Sequence, residues 1–545
     1  MRSVFDAMRM LAIGGICWAV LGTTGAYAQA ITLNLLGTYE SGLIDADGGG
    51  QEIPAYDRKT KRLFVVNAIQ SRVDILNIAD PTTPTFVAFI DVTLALAGGS
   101  PNSVAVSKKG VVAVAIQAPV KTDPGAVGFF NTNGALLGSV PVGALPDMLT
   151  WTPNEKSVLV ANEGEPSDDY LTDPEGTVSI ITVPRNFALL SPASVRSVIF
   201  QSFNDDTDLD PSIRIFGPGA TFAQDVEPEY ITVSPDSKTA YVSLQEANAI
   251  AVIDIKTGTV TAIHGLGFKN HLLPGNGLDP SRDDGGINIG NWPLMGMYQP
   301  DGLACYKFPK LGTLVFSANE GDTRAYTGFN EEFDIRDMDV GETLTGLDAD
   351  GFPGFSASDL TDLVTDAQLG RLRISTVNAD PGGDGDANTL FSFGGRSFSI
   401  WHPATGEQVY DSGDDIEQRC ATAFPANFNA DHEDRRIDRR SPRKGPEPED
   451  IKVAKIGKSV YAFIALERQS AIMIYNVTNP LAPAFVSISS NRDYAATDLT
   501  PEAGDLGPEG MLFIPAQIAP TRQNLLVVAN EVSGTTSIWA IVPAP

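Results

Sequence analysis

The feature that most constrains the fold is a unit that recurs along the chain. It consists of a proline beside an acidic or amide residue, a strand, a polar turn, a second strand ending near Asn or Glu, and a third strand. The clearest copies span residues 146–181 and 227–254. Further copies begin at Glu52, Pro101, Pro300, Pro446 and Pro508, which makes seven. A repeat of this kind has to be recognised before a chain is divided into domains.

The repeated unit predicts an all-β fold. Each copy contains strands in which apolar and polar residues alternate. These strands are rich in Val, Ile, Phe and Tyr and have turn signals between them. Three or four antiparallel strands repeated seven times are typical of a seven-bladed β-propeller. The last copy lacks an outer strand, and we expect residues 31–39 to supply it, because pairing the two ends of the chain closes the ring and covers an exposed edge.

Longer segments interrupt the repeated units. They are rich in Gly, Asp and Pro and lie at residues 191–222, 265–298, 326–388 and 411–443. This composition favours loops or small lids over additional domains. We therefore expect a single β-propeller domain over residues 29–545.

The N-terminal residues have the pattern of an export signal. Arg2 and Arg9 flank the start of an apolar run, 11–21, and 26–28 has the small-x-small form of a cleavage site. The run is shorter than the roughly 20 residues that a membrane span requires. We expect a cleaved signal peptide at residues 1–28, with an uncleaved anchor as the alternative. The mature protein is then secreted or periplasmic, without a transmembrane segment.

The charge of the chain limits its partners. The formal net charge is −29, which repels nucleic acid and anionic membranes and attracts cations. Acidity that serves solubility alone is the alternative. Outside the export signal, Cys305 and Cys420 allow one disulfide but no disulfide framework. We expect a monomer.

The acidic residues of the repeat are expected to meet at one place. In an antiparallel sheet, the start of the first strand and the end of the second lie at the same end. Ring closure brings the first strands to a central channel, so these residues should gather at one channel mouth. Carboxylate oxygens suit Ca²⁺ or Mg²⁺ rather than zinc. The candidate metal ligands are Glu52, Asp147, Glu163, Glu227, Glu229, Asp301, Glu320, Glu447, Glu449, Glu467, Glu509 and Glu531.

Amide and guanidinium groups near the same strand ends are candidate ligand-binding groups. They belong to Asn162, Asn319, Arg324, Arg396, Arg468 and Asn530. The arginines are either counter-charges for the carboxylates or clamps for a phosphate or carboxylate ligand. The alternative is structural, because Asn and Asp side chains also cap turns.

No catalytic set is recognisable. The chain has four histidines and contains neither His-Glu-x-x-His nor Gly-x-Ser-x-Gly. A histidine-rich zinc hydrolase or a serine esterase is therefore not expected.

Several strings resemble one known family. Residues 160–170 read VANEGEPSDDY, followed by DPEG at 173–176, SANEGD at 317–322 and GPEG at 507–510. These strings resemble the choice-of-anchor I domain family, which includes mesenchyme-specific cell-surface glycoproteins associated with biomineralisation. The resemblance implies an extracytoplasmic propeller with a role in calcium or phosphate handling, often labelled alkaline-phosphatase-like. The basic run 440–444 departs from the family, where acidic residues are expected.

Three hypotheses of function follow. The first is an exported acidic propeller that binds a divalent cation, preferably Ca²⁺, and a phosphorylated or acidic ligand or partner at one channel mouth. The second is a calcium-dependent phosphoesterase, phytase-like or alkaline-phosphatase-like, in which Arg324 or Arg468 stabilises the charge on the phosphoryl group. The third is a structural scaffold without a metal.

Overall fold

A computed structural model describes residues 30–338, 344–377, 379–381 and 383–544. These residues form an all-β structure with short α-helices at Phe222–Asp225, Ala357–Leu363 and Asp415–Ala423. The signal peptide expected at residues 1–28 lies outside the described residues. Within these ranges, no helix has both the length and the apolar character needed to cross a bilayer.

Among the described residues, seven antiparallel sheets have four strands each, numbered here in chain order. Sheet 1 contains Pro54–Asp57, Arg62–Asn67, Arg72–Asn77 and Thr85–Asp91. Sheet 2 contains Ser100–Val106, Val111–Gln117, Pro124–Asn131 and Leu136–Ala144. Sheet 3 contains Pro146–Trp151, Ser157–Asn162, Thr177–Thr182 and Val195–Ile199. Sheet 4 contains Pro228–Val233, Thr239–Leu244, Ala249–Asp254 and Thr259–Gly265.

The remaining sheets complete the series. Sheet 5 contains Leu303–Phe308, Gly312–Asn319, Ser397–His402 and Glu407–Asp411. Sheet 6 contains Pro448–Ile456, Ser459–Leu466, Ala471–Asn476 and Ala484–Ser489. Sheet 7 contains Pro508–Ile514, Leu525–Asn530, Thr535–Pro543 and Ile31–Glu40. Each predicted copy of the repeat thus begins one four-stranded sheet.

The N-terminal strand is the outer strand of sheet 7. It pairs antiparallel with Thr535–Pro543, from Ile31 opposite Pro543 to Glu40 opposite Thr535. The predicted pairing of this strand with the last strand is therefore confirmed. The pairing joins the two ends of the described chain in one sheet.

The core is divided into apolar clusters, each lying between two neighbouring sheets. Phe64 and Val112 belong to the cluster between sheets 1 and 2. The series continues along the chain to the cluster between sheets 6 and 7. Leu63 and Leu525 belong to a further cluster that joins sheet 7 to sheet 1. The middle strands are apolar along their length because both of their faces are covered.

The interrupting segments contain more regular structure than the sequence predicts. Val195–Ile199, inside segment 191–222, is the fourth strand of sheet 3, and segment 411–443 contains the helix Asp415–Ala423. A five-stranded mixed sheet consists of Phe268–Asn270, Met295–Met297, Phe391–Ser392, Arg373–Ser375 and Glu332–Asp334. A two-stranded sheet consists of Gly346–Leu347 and Asp386–Ala387. The small strands are too short to show an alternating pattern in the sequence.

The five-stranded sheet has a core of its own. Leu360, Leu363, Leu372 and Ile374 are buried in an apolar cluster that is separate from the clusters between the large sheets. The two cysteines Cys305 and Cys420 are free, so the disulfide that the sequence allows is not formed.

Candidate functional site

The start of the first strand lies beside the end of the second, as the sequence predicts. In sheet 3, Pro146 lies opposite Asn162. In sheet 7, Pro508 lies opposite Asn530. An acidic residue that follows the proline of the first strand therefore lies beside one that follows the asparagine at the end of the second strand.

A repeated backbone kink fixes this contact. The residue before the first-strand proline has a positive φ, which is +45° at Leu145, +37° at Glu227 and +55° at Glu447. The amide N–H of Glu163 donates to the carbonyl of Leu145 at 2.9 Å, and that of Glu467 donates to the carbonyl of Glu447 at 2.8 Å. A non-glycine residue in this region is uncommon and is held there by surrounding contacts. The kink places the strand-end glutamates next to the first strand.

All seven large sheets contribute to one cavity of about 150 Å³. One lining residue comes from, or directly precedes, the first strand of each sheet: Glu52, Asn102, Asp147, Tyr230, Asp301, Asp450 and Glu509. A second cavity of about 370 Å³ shares Ile53, Ser103, Met148 and Tyr230 with it. The predicted acidic residues of four different repeats therefore line a common space.

Four carboxyl groups of this cavity, those of Glu52, Asp147, Asp301 and Glu509, have raised pKa values. Burial, followed by repulsion from Glu531 and Asp147, raises the pKa of Glu52 to about 8. Burial also raises the pKa of Asp147 and of Asp301 to about 7. A nearby cation would favour the ionised forms, because opposite charge lowers a carboxyl pKa.

One group of carboxylates, which we call the open cluster, consists of Glu163, Glu229 and Glu246. One oxygen from each lies within 4.8 Å of the others. Glu163 is 8 % exposed and Glu246 is 3 % exposed. Oε2 of Glu229 and Oε2 of Glu246 are buried without a hydrogen-bond partner. Within the described ranges, none of the three forms an ion pair with Lys or Arg, although Arg324 binds the neighbouring Glu227.

The open cluster is therefore electrostatically unsatisfied. Burial raises the pKa of Glu246 to about 7. Burial, with repulsion from neighbouring carboxylates, raises the pKa of Glu163 and of Glu229 well above the usual range. Three carboxyl groups in this state can bind protons or one multivalent cation.

A second group, which we call the filled cluster, consists of Glu320, Glu447 and Glu467, again with oxygens within 4.8 Å of one another. Glu447 lies 2.5 Å from Nη2 of Arg440, 3.2 Å from Nε of Arg468 and 3.5 Å from Nζ of Lys444. Burial alone would raise the pKa of Glu447, but Arg440, Lys444 and Arg468 hold it well below its usual range. Three basic side chains of the chain itself thus contact this cluster and stabilise the ionised form of Glu447, whereas burial raises the pKa of Glu467 well above its usual range.

A third group consists of Asp301, Glu320 and Glu449 and shares Glu320 with the filled cluster. Asp301 and Glu449 form a side-chain hydrogen bond with each other. A hydrogen bond between two carboxyl groups requires one of them to carry a proton. At least one carboxyl group of this pair is therefore protonated, in line with the raised pKa of both Asp301 and Glu449.

Two predicted arginines are bound to buried carboxylates. Arg324 has no exposed surface and pairs with Asp225 and, at 2.7 Å, with Glu227. Arg396 pairs with Glu417 at 2.8 Å and bonds to backbone carbonyls of the interrupting segments. Both guanidinium groups act as counter-charges in this structure, and a role in ligand binding stays a prediction.

The predicted asparagines form hydrogen bonds within their own sheets. Their Nδ2 groups donate to hydroxyl groups at the start of the third strand, namely Asn162 to Thr177, Asn319 to Ser397 and Asn530 to Thr535, at 3.1, 3.0 and 3.0 Å. Each bond ties the end of the second strand to the third. The buried Oδ1 of Asn162 has no hydrogen-bond partner.

Sequence reasoning left important residues out of the candidate set. Glu246 lies two residues after the end of the second strand of sheet 4, one residue beyond the position that Glu163 occupies in sheet 3, so the repeat brings it to the same end of its sheet. Arg440 and Lys444 lie in the basic run before sheet 6. Their contacts with Glu447 join residues close in the sequence, whereas the contact of Lys444 with Glu320 depends on tertiary structure and carries no local signal.

Two curated proteins are similar to parts of this chain. Gigasin-3a of Magallana gigas is 32 % identical over 187 residues, which are 32 % of this chain and 66 % of that protein. The mesenchyme-specific cell surface glycoprotein of Strongylocentrotus purpuratus is 31 % identical over 347 residues, which are 60 % of this chain and 42 % of that protein. The chain thus spans less than two thirds of either relative.

Solved structures with a similar shape have low sequence identity. Hydrazine synthase of Kuenenia stuttgartiensis has a TM-score of 0.45 at 13 % identity, covering 93 % of this chain and 100 % of that one. The WD40 domain of Toxoplasma gondii coronin has a TM-score of 0.42 at 10 % identity, covering 95 % and 89 %. The β-propeller domain of Myceliophteria thermophila Cps50 (Swd1) has a TM-score of 0.43 at 10 % identity, covering 94 % and 100 %.

The family comparison covers most of the site. The model of the choice-of-anchor I domain matches residues 52–480, a span that contains the open cluster, the filled cluster and the strings at 160–170, 173–176 and 317–322. The chain belongs to the choice-of-anchor I domain family.

Proposed function

We propose that this chain is an extracellular, seven-bladed β-propeller that binds a divalent cation, preferably Ca²⁺, at the open cluster. Seven copies of the repeat, seven four-stranded sheets and the apolar cluster between sheets 7 and 1 support the closed ring. The family and the cell-surface name of the sea-urchin relative support an extracellular location. The expected signal peptide agrees with this location.

The observation that carries the cation proposal is the pair of unpartnered oxygens in the open cluster. A buried acceptor without a partner costs about 1–3 kcal/mol, and more when it is charged. Oε2 of Glu229 and Oε2 of Glu246 are both in this condition beside a third buried carboxyl group. A divalent cation supplies the missing positive charge. The all-oxygen donor set suits Ca²⁺ or Mg²⁺.

An anionic ligand is part of the same proposal. Ca²⁺ takes about six to eight oxygen ligands, so three carboxylates leave positions for water or for a phosphate or carboxylate group. We propose a phosphorylated or acidic small molecule as the second ligand. A calcium-dependent phosphoesterase would bind its substrate at the same positions and would also hydrolyse it.

Thermal unfolding tests the cation site. We expect Ca²⁺ to raise the unfolding temperature of the wild type over that in EDTA, because a ligand that binds only the folded state stabilises it by about 2.7 kcal/mol at 100 times its Kd. The variant Glu246→Gln should lose most of this shift. The exposed Glu407→Gln is the matched control and should keep it. No shift in the wild type, or an equal shift in Glu246→Gln, would contradict the proposal.

A phosphatase assay on the same samples separates the alternatives. Hydrolysis of p-nitrophenyl phosphate that depends on Ca²⁺ and disappears in Glu246→Gln would identify a phosphoesterase. Binding of Ca²⁺ without hydrolysis supports a binding protein. If Ca²⁺ does not change the unfolding temperature and the substrate is not hydrolysed, the structural scaffold is the remaining hypothesis.

A further inference from the structure

The filled cluster differs from the open cluster in the source of its positive charge. Nζ of Lys444 contacts an oxygen of Glu320, lies 2.6 Å from the carbonyl oxygen of Gly321 and lies 3.5 Å from Oε2 of Glu447. Its side chain is only 16 % exposed. The ammonium group thus sits among two carboxylates and one backbone carbonyl, which is the oxygen environment that Ca²⁺ also prefers.

The surroundings of Lys444 contain further carboxyl groups. Glu320 belongs both to the filled cluster and to the group with Asp301 and Glu449. Burial and the carboxylates Glu320, Glu447 and Asp322 act on the pKa of Lys444 in opposite directions, and the carboxylates prevail by raising it. The lysine therefore stays charged in a buried position, held there by acid on several sides.

We infer that Lys444 is a tethered cation that takes the place of a second divalent ion beside Glu320. The lysine sets the number of ions that this rim of the propeller binds. This inference rests on the proposed function, because it assumes that the open cluster, which lacks such a lysine, binds an ion from solution.

Removal of the ammonium group should create the second site. In Lys444→Met, the oxygens of Glu320 and Gly321 lose their cation, while one oxygen each of Asp301 and Glu449 lies within 4.8 Å of an oxygen of Glu320. Arg440 and Arg468 remain bonded to Glu447. The position vacated by Nζ then has the carboxylates of Glu320 and Glu447 and the carbonyl oxygen of Gly321 beside it.

Calcium stoichiometry, measured by equilibrium dialysis of the full chain with calcium chloride, tests this inference. We expect Lys444→Met to bind one more ion than the wild type. The conservative Lys444→Arg and the exposed Lys458→Met should match the wild type. The double variant Lys444→Met with Glu320→Gln should lose the additional ion. An unchanged stoichiometry in Lys444→Met would overturn the inference.

The same experiment separates this inference from the proposed function. A wild type that binds no ion, with a Lys444→Met variant that binds one, would refute the open cluster and retain the role of Lys444. If Lys444→Met folds only when Ca²⁺ is present, the ion replaces the ammonium group, as expected. If it fails to fold at every Ca²⁺ concentration, an ion cannot take the place of Lys444, and the inference is wrong.

Discussion

The open cluster and the filled cluster each bring three buried glutamates together at the ends of strands, yet they are stabilised in different ways. Glu447 of the filled cluster is bonded to three basic side chains of the same molecule. In the open cluster, Glu229 and Glu246 each keep a buried oxygen without a partner. Carboxylates near the same ends of the repeated strands can thus form a structural ion network between two sheets and a candidate binding site between two others.

The largest expected effect is on the filled cluster. Glu447→Gln should lower the free energy of unfolding by about 3–5 kcal/mol, because it leaves buried basic groups without their carboxylate. Glu246→Gln in EDTA should be neutral or stabilising by up to about 1 kcal/mol, since it removes repulsion between carboxyl groups. Urea unfolding of both variants in EDTA measures the contrast. Equal losses of stability would show that the two clusters do not differ.

An intermediate effect is expected at the asparagines. Asn319→Ala should cost about 1–3 kcal/mol, because the buried hydroxyl groups of Ser317, Ser397 and Ser399 each lose one of their hydrogen-bond partners. Calcium affinity should stay unchanged, because these bonds lie within sheet 5. Isothermal titration with calcium chloride checks this. A tenfold loss of affinity in the folded variant would instead assign Asn319 to the ion site.

A smaller effect is expected from pH. The folded-state pKa values of Glu246, at about 7, and Glu52, at about 8, lie above the ordinary value of 4.5. The folded chain therefore holds protons that the unfolded chain releases, and in EDTA its stability should fall as the pH rises from about 4.5 to about 8, by about 1 kcal/mol per pH unit for each group that is protonated only in the folded chain. Saturating Ca²⁺ should reduce this fall. Thermal unfolding between pH 5 and 8 that shows rising stability in EDTA would contradict the expected state of these groups.

Local geometry explains which parts of the site the sequence could predict. The position of Glu163 beside Asp147 follows from antiparallel pairing alone, since Pro146 opposes Asn162. The counter-ions do not follow from pairing. Lys444 reaches Glu320 across a separation of 124 residues, from an interrupting segment whose path the repeat does not specify. The basic run that departs from the family pattern was visible in the sequence, but its partners were not.

The interrupting segments show that the same limit applies when the fold is predicted from the sequence. The four-stranded sheets could be predicted because turn signals bound strands of about six residues, as in Ser157–Asn162. The five-stranded sheet pairs Met295–Met297 with Phe391–Ser392, segments of two or three residues that lie far apart in the chain. Strands of this length carry too little periodicity to be recognised, and their pairing depends on the separate core around Leu372.

The most direct test of the account is an anomalous difference map from crystals of the wild-type protein grown with Mn²⁺ as a substitute for Ca²⁺. The account predicts a peak among the carboxylates of Glu163, Glu229 and Glu246, and no peak beside Lys444. A peak at the filled cluster, or no peak at the open cluster under saturating Mn²⁺, would contradict it.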